Sequence, residues 1–134
     1  MQFKHEHLKE EFFHVEATDP RLRAIVVELD FFFQKKFGRE LLTTCVWRTE
    51  AEQQKLYPEF FNRVGLTRPS PHLDRPCRAV DLRSKDLCPE EIEALRNYFQ
   101  SWWGDLPNAA FLINDRGSAF PHIHIQIGKK VLGV

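Results

Sequence analysis

The segment Pro121-His122-Ile123-His124-Ile125-Gln126-Ile127 alternates polar and apolar side chains from end to end. A period of two is the signature of a strand with one face on a core. Ile123, Ile125 and Ile127 then point one way, and His122, His124 and Gln126 point the other. A strand of this kind needs partners. Ala109 to Ile113 reads as a second strand, joined to the first (Phe120 to Ile127) through a hairpin turn at Asp115-Arg116-Gly117-Ser118. Arg78 to Arg83 reads as a short strand and Leu41 to Trp47 as another.

Helical spacing marks the rest. Asp19-Pro20 offers an N-cap followed by proline at the first helical position. Leu22, Ile25, Val26, Leu29, Phe33 and Phe37 recur on one face, and Gly38 stands where the helix should stop. Phe31, Phe32 and Phe33 cannot all face inward, so one or more should pack against the N-terminal arm. Thr49-Glu50-Ala51-Glu52 fits a capping box and opens a helix toward Tyr57-Pro58. Asn62 to Pro76, rich in proline, reads as loop. Pro89 opens a further helix with Ile92, Leu95, Tyr98, Phe99 and Trp102 inward and Gly104 after it. Helices come first and sheet dominates later, which predicts an α+β class: a small antiparallel sheet packed against helices. At 134 residues the chain is expected to be one domain, 1–134.

Charge and composition narrow the function classes. Lys plus Arg and Asp plus Glu each total 19. That balance predicts no nucleic-acid partner, since such binding needs a basic face. No apolar run reaches the length of a membrane span. Met1 to Glu11 is charged and has no signal-peptide core, so the chain is expected to be made in the cytoplasm. Cys45, Cys77 and Cys88 form no metal-spaced pair and read as reduced thiols.

Two places carry chemistry. His122 and His124 share a strand face and can approach one ion through neutral imidazole. His72, in the loop segment Ser70-Pro71-His72, and Asp81, on the strand Arg78-Ala79-Val80-Asp81-Leu82, are nine residues apart. They can meet at that ion if the loop folds back. Two histidines and one carboxylate make the three-ligand set of a catalytic zinc site, with a position left for water. Plainer roles exist for each residue: Asp81 can pair with Arg78 or Arg83, Arg48 with Glu50 or Glu52, and His72 can be a surface residue. Cys77 lies between two of the candidate ligands. His5, His7 and His14 read as solvated.

Ser70-x-His72, Arg78-Ala79-Val80-Asp81 and His122-x-His124, in this order, resemble the M15 family of zinc peptidases. This family comprises D-Ala-D-Ala carboxypeptidases and L-alanyl-D-glutamate endopeptidases, including small phage endolysins. The segment Thr43 to Gln53 resembles the family's strand-arginine-helix stretch, and the likeness runs from about Leu41 to Gln126. The resemblance implies a Hedgehog-like fold and a Zn2+ cofactor held by His72, Asp81 and His124. It implies that Arg48 acts on the substrate carbonyl and that Ser70 supports the first ligand. His122 matches the first histidine of the His-x-His found in some branches, and is the expected general base, with Asp115 in reserve. The implied substrate is a peptidoglycan stem peptide, met at the cell wall after phage-mediated release, and the implied form is a monomer. Two features depart from the family pattern. The spacing from His72 to Asp81 is longer than usual, with Arg75-Pro76-Cys77 in the turn. Pro121 stands where many members carry an acidic base. An alternative is therefore a metal-binding member of weak or no turnover, for example a phage virion or assembly component.

Overall fold

The apolar faces of three strands and two helices converge on one core in the computed structural model, which describes residues 1–114 and 121–129. The elements are β1 (Gln2–Phe3), α1 (Glu6–Phe13), α2 (Pro20–Phe37), β2 (Leu42–Cys45), α3 (Glu50–Leu56), α4 (Pro58–Val64), a 3-10 turn (Pro71–Leu73), β3 (Ala79–Arg83), α5 (Pro89–Trp103), β4 (Ala110–Asn114) and β5 (His122–Gln126). The strands form one sheet in the order β1-β2-β3-β5-β4. The class is α+β, as the order of patterns predicts. The sheet is mixed rather than purely antiparallel: β1 runs parallel to β2, and every other pairing is antiparallel.

The alternation in β5 is realised. Ile123 and Ile125 are fully buried, with Val80 and Leu82 of β3 and Phe111 of β4 on the same side. Helices α2 and α5 cover this side through Leu22, Ile25, Val26, Leu29 and Phe33, and through Leu95 and Phe99. Fully burying one such side chain is worth about 1.5–3 kcal/mol, so this face supplies most of the drive to fold. Helix α2 begins as expected, with Asp19 accepting from the Arg21 backbone N–H, and ends at Gly38 with φ 73°. That left-handed value is cheap only for glycine. Thr49 and Glu52 close the capping box of α3.

Several boundaries differ from the sequence reading. The charged N-terminal arm is a strand and a helix, because Leu8 and Phe12 of α1 reach the core. Pro58 does not end the helical region; it is the first residue of α4, which extends to Val64 before Gly65. Phe33 is buried, Phe31 is exposed and Phe32 stacks on Tyr98 of α5 at 4.2 Å, rather than on the N-terminal arm. Trp102, expected inward, is exposed, while its neighbour Trp103 packs on the core. The expected hairpin turn from Asp115 to Ser118 lies outside the described residues. Among the described residues no helix is long and apolar enough to cross a membrane.

Candidate metal centre

The polar side of the same strands carries the site. Register places Asp81 of β3 opposite His124 of β5, and Arg83 opposite His122. Residues directly opposite on one face bring their side chains together. On the other flank of β3, Thr43 faces Leu82 but Cys45 faces Asp81, so β2 carries one extra residue between them. A bulge of this kind changes the side to which later side chains point. Thr43 is buried on the core side, whereas Cys45 joins the Asp81 row. His72 arrives from above. The 3-10 turn is held by Ser70, whose side chain accepts from the His72 N–H, and the His72 carbonyl accepts from the Arg48 N–H at 2.9 Å.

His72 is 2% exposed and Asp81 6% exposed, far too buried for solvent to satisfy them. His72 Nε2 lies 3.2 Å from Asp81 Oδ1, and His124 Nδ1 lies 3.0 Å from the same oxygen. The outer nitrogen of each ring has its own acceptor. His72 Nδ1–H donates to the Val46 carbonyl at 2.6 Å. His124 Nε2–H donates to Gln126 Oε1 at 2.9 Å, and the Gln126 amide is oriented by donating from Nε2 to the Asn108 carbonyl. A ring that donates outward presents a bare lone pair inward. Two lone pairs and a carboxylate oxygen therefore converge, acceptor against acceptor. Only protons or a cation between them resolve this, and backbone or amide carbonyls behind metal-ligating imidazoles are the usual support. The residues present thus fit a metal ion.

Without a cation, protons take that place. Burial alone would lower the His72 pKa, but hydrogen bonds with Asp81, Cys45 and Cys77 and the charge of Asp81 raise it well above 6.5. Burial alone would raise the Asp81 carboxyl. Hydrogen bonds from His124 and His72, with their charge, hold it well below the usual carboxylate range.

The other candidates are distributed around this centre. Arg48 Nη1 donates to Gln53 Oε1 at 2.6 Å, which sets its Nη2 3.8 Å from Asp81 Oδ2 and 3.4 Å from Cys45 Sγ. It turns to this glutamine rather than to Glu50 or Glu52. His122 Nε2 is 3.9 Å from Asp81 Oδ2, on the outer side of the carboxylate. Asp81 does not pair with Arg78 or Arg83: Arg78 pairs with Asp74, and Arg83 with Asp86. Cys77 is a buried thiol turned to the carbonyls of Val46 and Ala79. His5, His7 and His14 are exposed. Asp115 lies outside the described residues.

Sequence reasoning missed Cys45. Ligand atoms of Cys45, His72 and Asp81 all lie within 4.8 Å of one another, a grouping that does not include His124. The contact of Cys45 with His72 is to Nδ1, at 3.8 Å, the nitrogen already committed to Val46. The shared oxygen and the free inner lone pair favour His124 over Cys45 as the partner of His72 and Asp81. The missed signal is the β2 bulge, which simple alternation cannot reveal. The alternation put Gln126 on the face of His124, but its grip on that ring and the grip of Gln53 on Arg48 were not read from the sequence. No protein-family model matches the chain, and no curated protein or solved structure matches it.

Proposed function

We propose that the protein is a zinc-dependent peptidase acting on peptidoglycan stem peptides, with His72, Asp81 and His124 as zinc ligands. The observation that carries this reading is the convergence of His72 Nε2 and His124 Nδ1 on Asp81 Oδ1. Ligand atoms about 2.0 Å from a tetrahedral zinc are about 3.3 Å apart, close to the 3.2 and 3.0 Å separations found. The ordered likeness of Ser70-x-His72, Arg78-Ala79-Val80-Asp81 and His122-x-His124 to the M15 family, with its Hedgehog-like fold, supports the substrate class. A zinc ion held there supplies a Lewis acid for a peptide carbonyl and a lowered pKa for water. Arg48, pinned by Gln53, stabilises negative charge developing on the carbonyl oxygen. His122 takes a proton from the attacking water and delivers it to the leaving amine. A protein with this activity, made in the cytoplasm and released to the cell wall by a phage, acts as an endolysin.

The deciding experiment measures zinc content together with hydrolysis of purified peptidoglycan and of a synthetic stem peptide, with and without chelator. About one zinc per chain and chelator-sensitive cleavage are expected. No zinc uptake after reconstitution sinks the reading. A second reading is a zinc-binding module without turnover, favoured by Pro121 in the slot of the family's acidic base and by Cys45 within ligand range. Stoichiometric zinc with no cleavage in either the wild type or Cys45→Ala selects it.

A further inference from the structure

Helix α4 carries the pattern of a core helix but reaches no core. Tyr57 at its N-cap, Phe60, Phe61 and Val64 recur at i, i+3, i+4 and i+7, the spacing that gathers apolar side chains on one helix face. No residue of α4 is buried. Leu56 before it and Leu66 after it are exposed as well, so five of the twelve exposed large hydrophobic side chains among the described residues fall between positions 56 and 66. An apolar patch gathered in this way marks an interaction surface. Directed contacts hold its base. Gln53, the one buried residue of α3, donates from Nε2 to the Arg68 carbonyl at 3.0 Å, and Gln54 Nε2 donates to Thr67 Oγ1 at 2.8 Å.

Basic side chains accompany the stripe. Between Gln53 and Leu73 the chain has Lys55, Arg63 and Arg68 against the single acid Glu59. Among the described residues no carboxylate pairs with any of these three cations. Leu56, Tyr57, Phe60, Glu59, Arg63 and Arg68 line an open groove of about 610 Å³, and the Arg68 guanidinium lies 4.3 Å from the centre of the Tyr57 ring. The groove offers apolar and cationic contacts side by side. We propose that α4 and its flanks are a membrane-docking surface, which lies on a bilayer of anionic phospholipid with Phe60, Phe61 and Val64 among the acyl chains and Lys55, Arg63 and Arg68 at the headgroup phosphates. An amphipathic helix with aromatic and basic side chains of this kind lies in the plane of the interface, and the ring and hydroxyl of Tyr57 suit its boundary. Charge selects this occupant over a second copy of the chain. In a twofold contact the same patch meets itself, which would set two basic arms against each other. An anionic bilayer supplies hydrocarbon and opposite charge together. The inference is independent of the peptidase reading, since docking uses no group of the metal centre.

The test is flotation of the full chain with vesicles of phosphatidylcholine alone and of phosphatidylcholine with an equal part of phosphatidylglycerol. Binding to the mixed vesicles should be at least about tenfold tighter, since each basic residue at an anionic surface is worth about fivefold. Arg63→Gln and Arg68→Gln should each lose about that fivefold. Phe60→Ser/Phe61→Ser should weaken binding by about tenfold or more, as removal of two buried aromatic side chains predicts, with the helical signal unchanged. Leu66→Ser, at a position 65% exposed beyond the helix, should weaken binding as well and decides the matter if the double variant does not fold. Equal binding to both vesicle types, or binding to neither, overturns the proposal. Concentration-dependent dimerisation without vesicle binding, abolished by Leu66→Ser, overturns it in favour of a second copy on this face. Release from the mixed vesicles by inorganic phosphate at constant ionic strength would reduce the groove to a phosphate pocket and also overturns membrane docking.

Discussion

The two faces of β3 and β5 are built from neighbouring residues under opposite rules. Val80, Leu82, Ile123 and Ile125 face the helices and are held by area removed from water. Asp81, His124 and Gln126 face the other way and are held by a chain of directed contacts, ending at Val46 O and Asn108 O. The apolar face tolerates any side chain of suitable volume. The polar face does not, because each buried group needs its particular partner. The two faces share backbone, so the hydrophobic register that buries Ile123 against Leu82 also fixes Asp81 opposite His124.

The sharpest way to separate the faces is Asp81→Ala. It removes the one anionic group at which both histidines meet, so zinc binding and hydrolysis should both be lost while the helical signal remains. Elemental analysis and circular dichroism check this, and retained zinc would mean that the ion sits elsewhere. On the opposite face, Ile125→Ala should cost about 2–5 kcal/mol of stability, read by denaturant unfolding, with zinc affinity of the folded fraction unchanged. Weakened affinity there would show that the faces are coupled through more than backbone.

Arg48→Ala and His122→Ala are expected to keep zinc. Each should lower turnover, Arg48→Ala by on the order of a hundredfold, the scale for loss of an oxyanion donor. Full turnover of His122→Ala would move the base elsewhere, and loss of zinc in it would make His122 a ligand. Gln126→Ala breaks only the support behind His124. Metal affinity should fall about tenfold, the low end for loss of such a partner, and competition against a chromophoric chelator measures it.

A pH series gives the smallest and most specific contrast. In metal-free protein the depressed Asp81 pKa contributes stability that is present above 3.8 and lost as pH falls through its folded value. The raised His72 pKa contributes stability that is present below 6.5 and lost as pH rises through its folded value. The pair therefore supports the fold most between these limits. Zinc replaces the shared protons, so thermal midpoints of the zinc-loaded protein should keep rising with pH where those of the metal-free protein fall. Parallel curves would show that no ion enters this network.

Much of this molecule is written locally. The period of two in Ile123-x-Ile125-x-Ile127, the 3.6-residue spacing in α2 with Asp19 and Gly38 at its ends, and the Thr49–Glu52 capping box each follow from sequence, because backbone geometry alone turns spacing into faces and caps. The same periodicity puts His122, His124 and Gln126 on one side. Other features have no local signature. Short α1 folds because Leu8 and Phe12 find a core, and α4 starts at a proline that local reading takes as a stop. The convergence of His72 with Asp81, the turn of Cys45 into the same row and the grip of Gln53 on Arg48 depend on a folded loop, a bulge and strand pairing between distant segments. These are decisions of tertiary structure, since they arise from which buried polar groups find partners once the strands pair and the loop folds back, and spacing alone does not choose Gln53 over Glu50 or Glu52 for Arg48, or His124, 43 residues away, for Asp81.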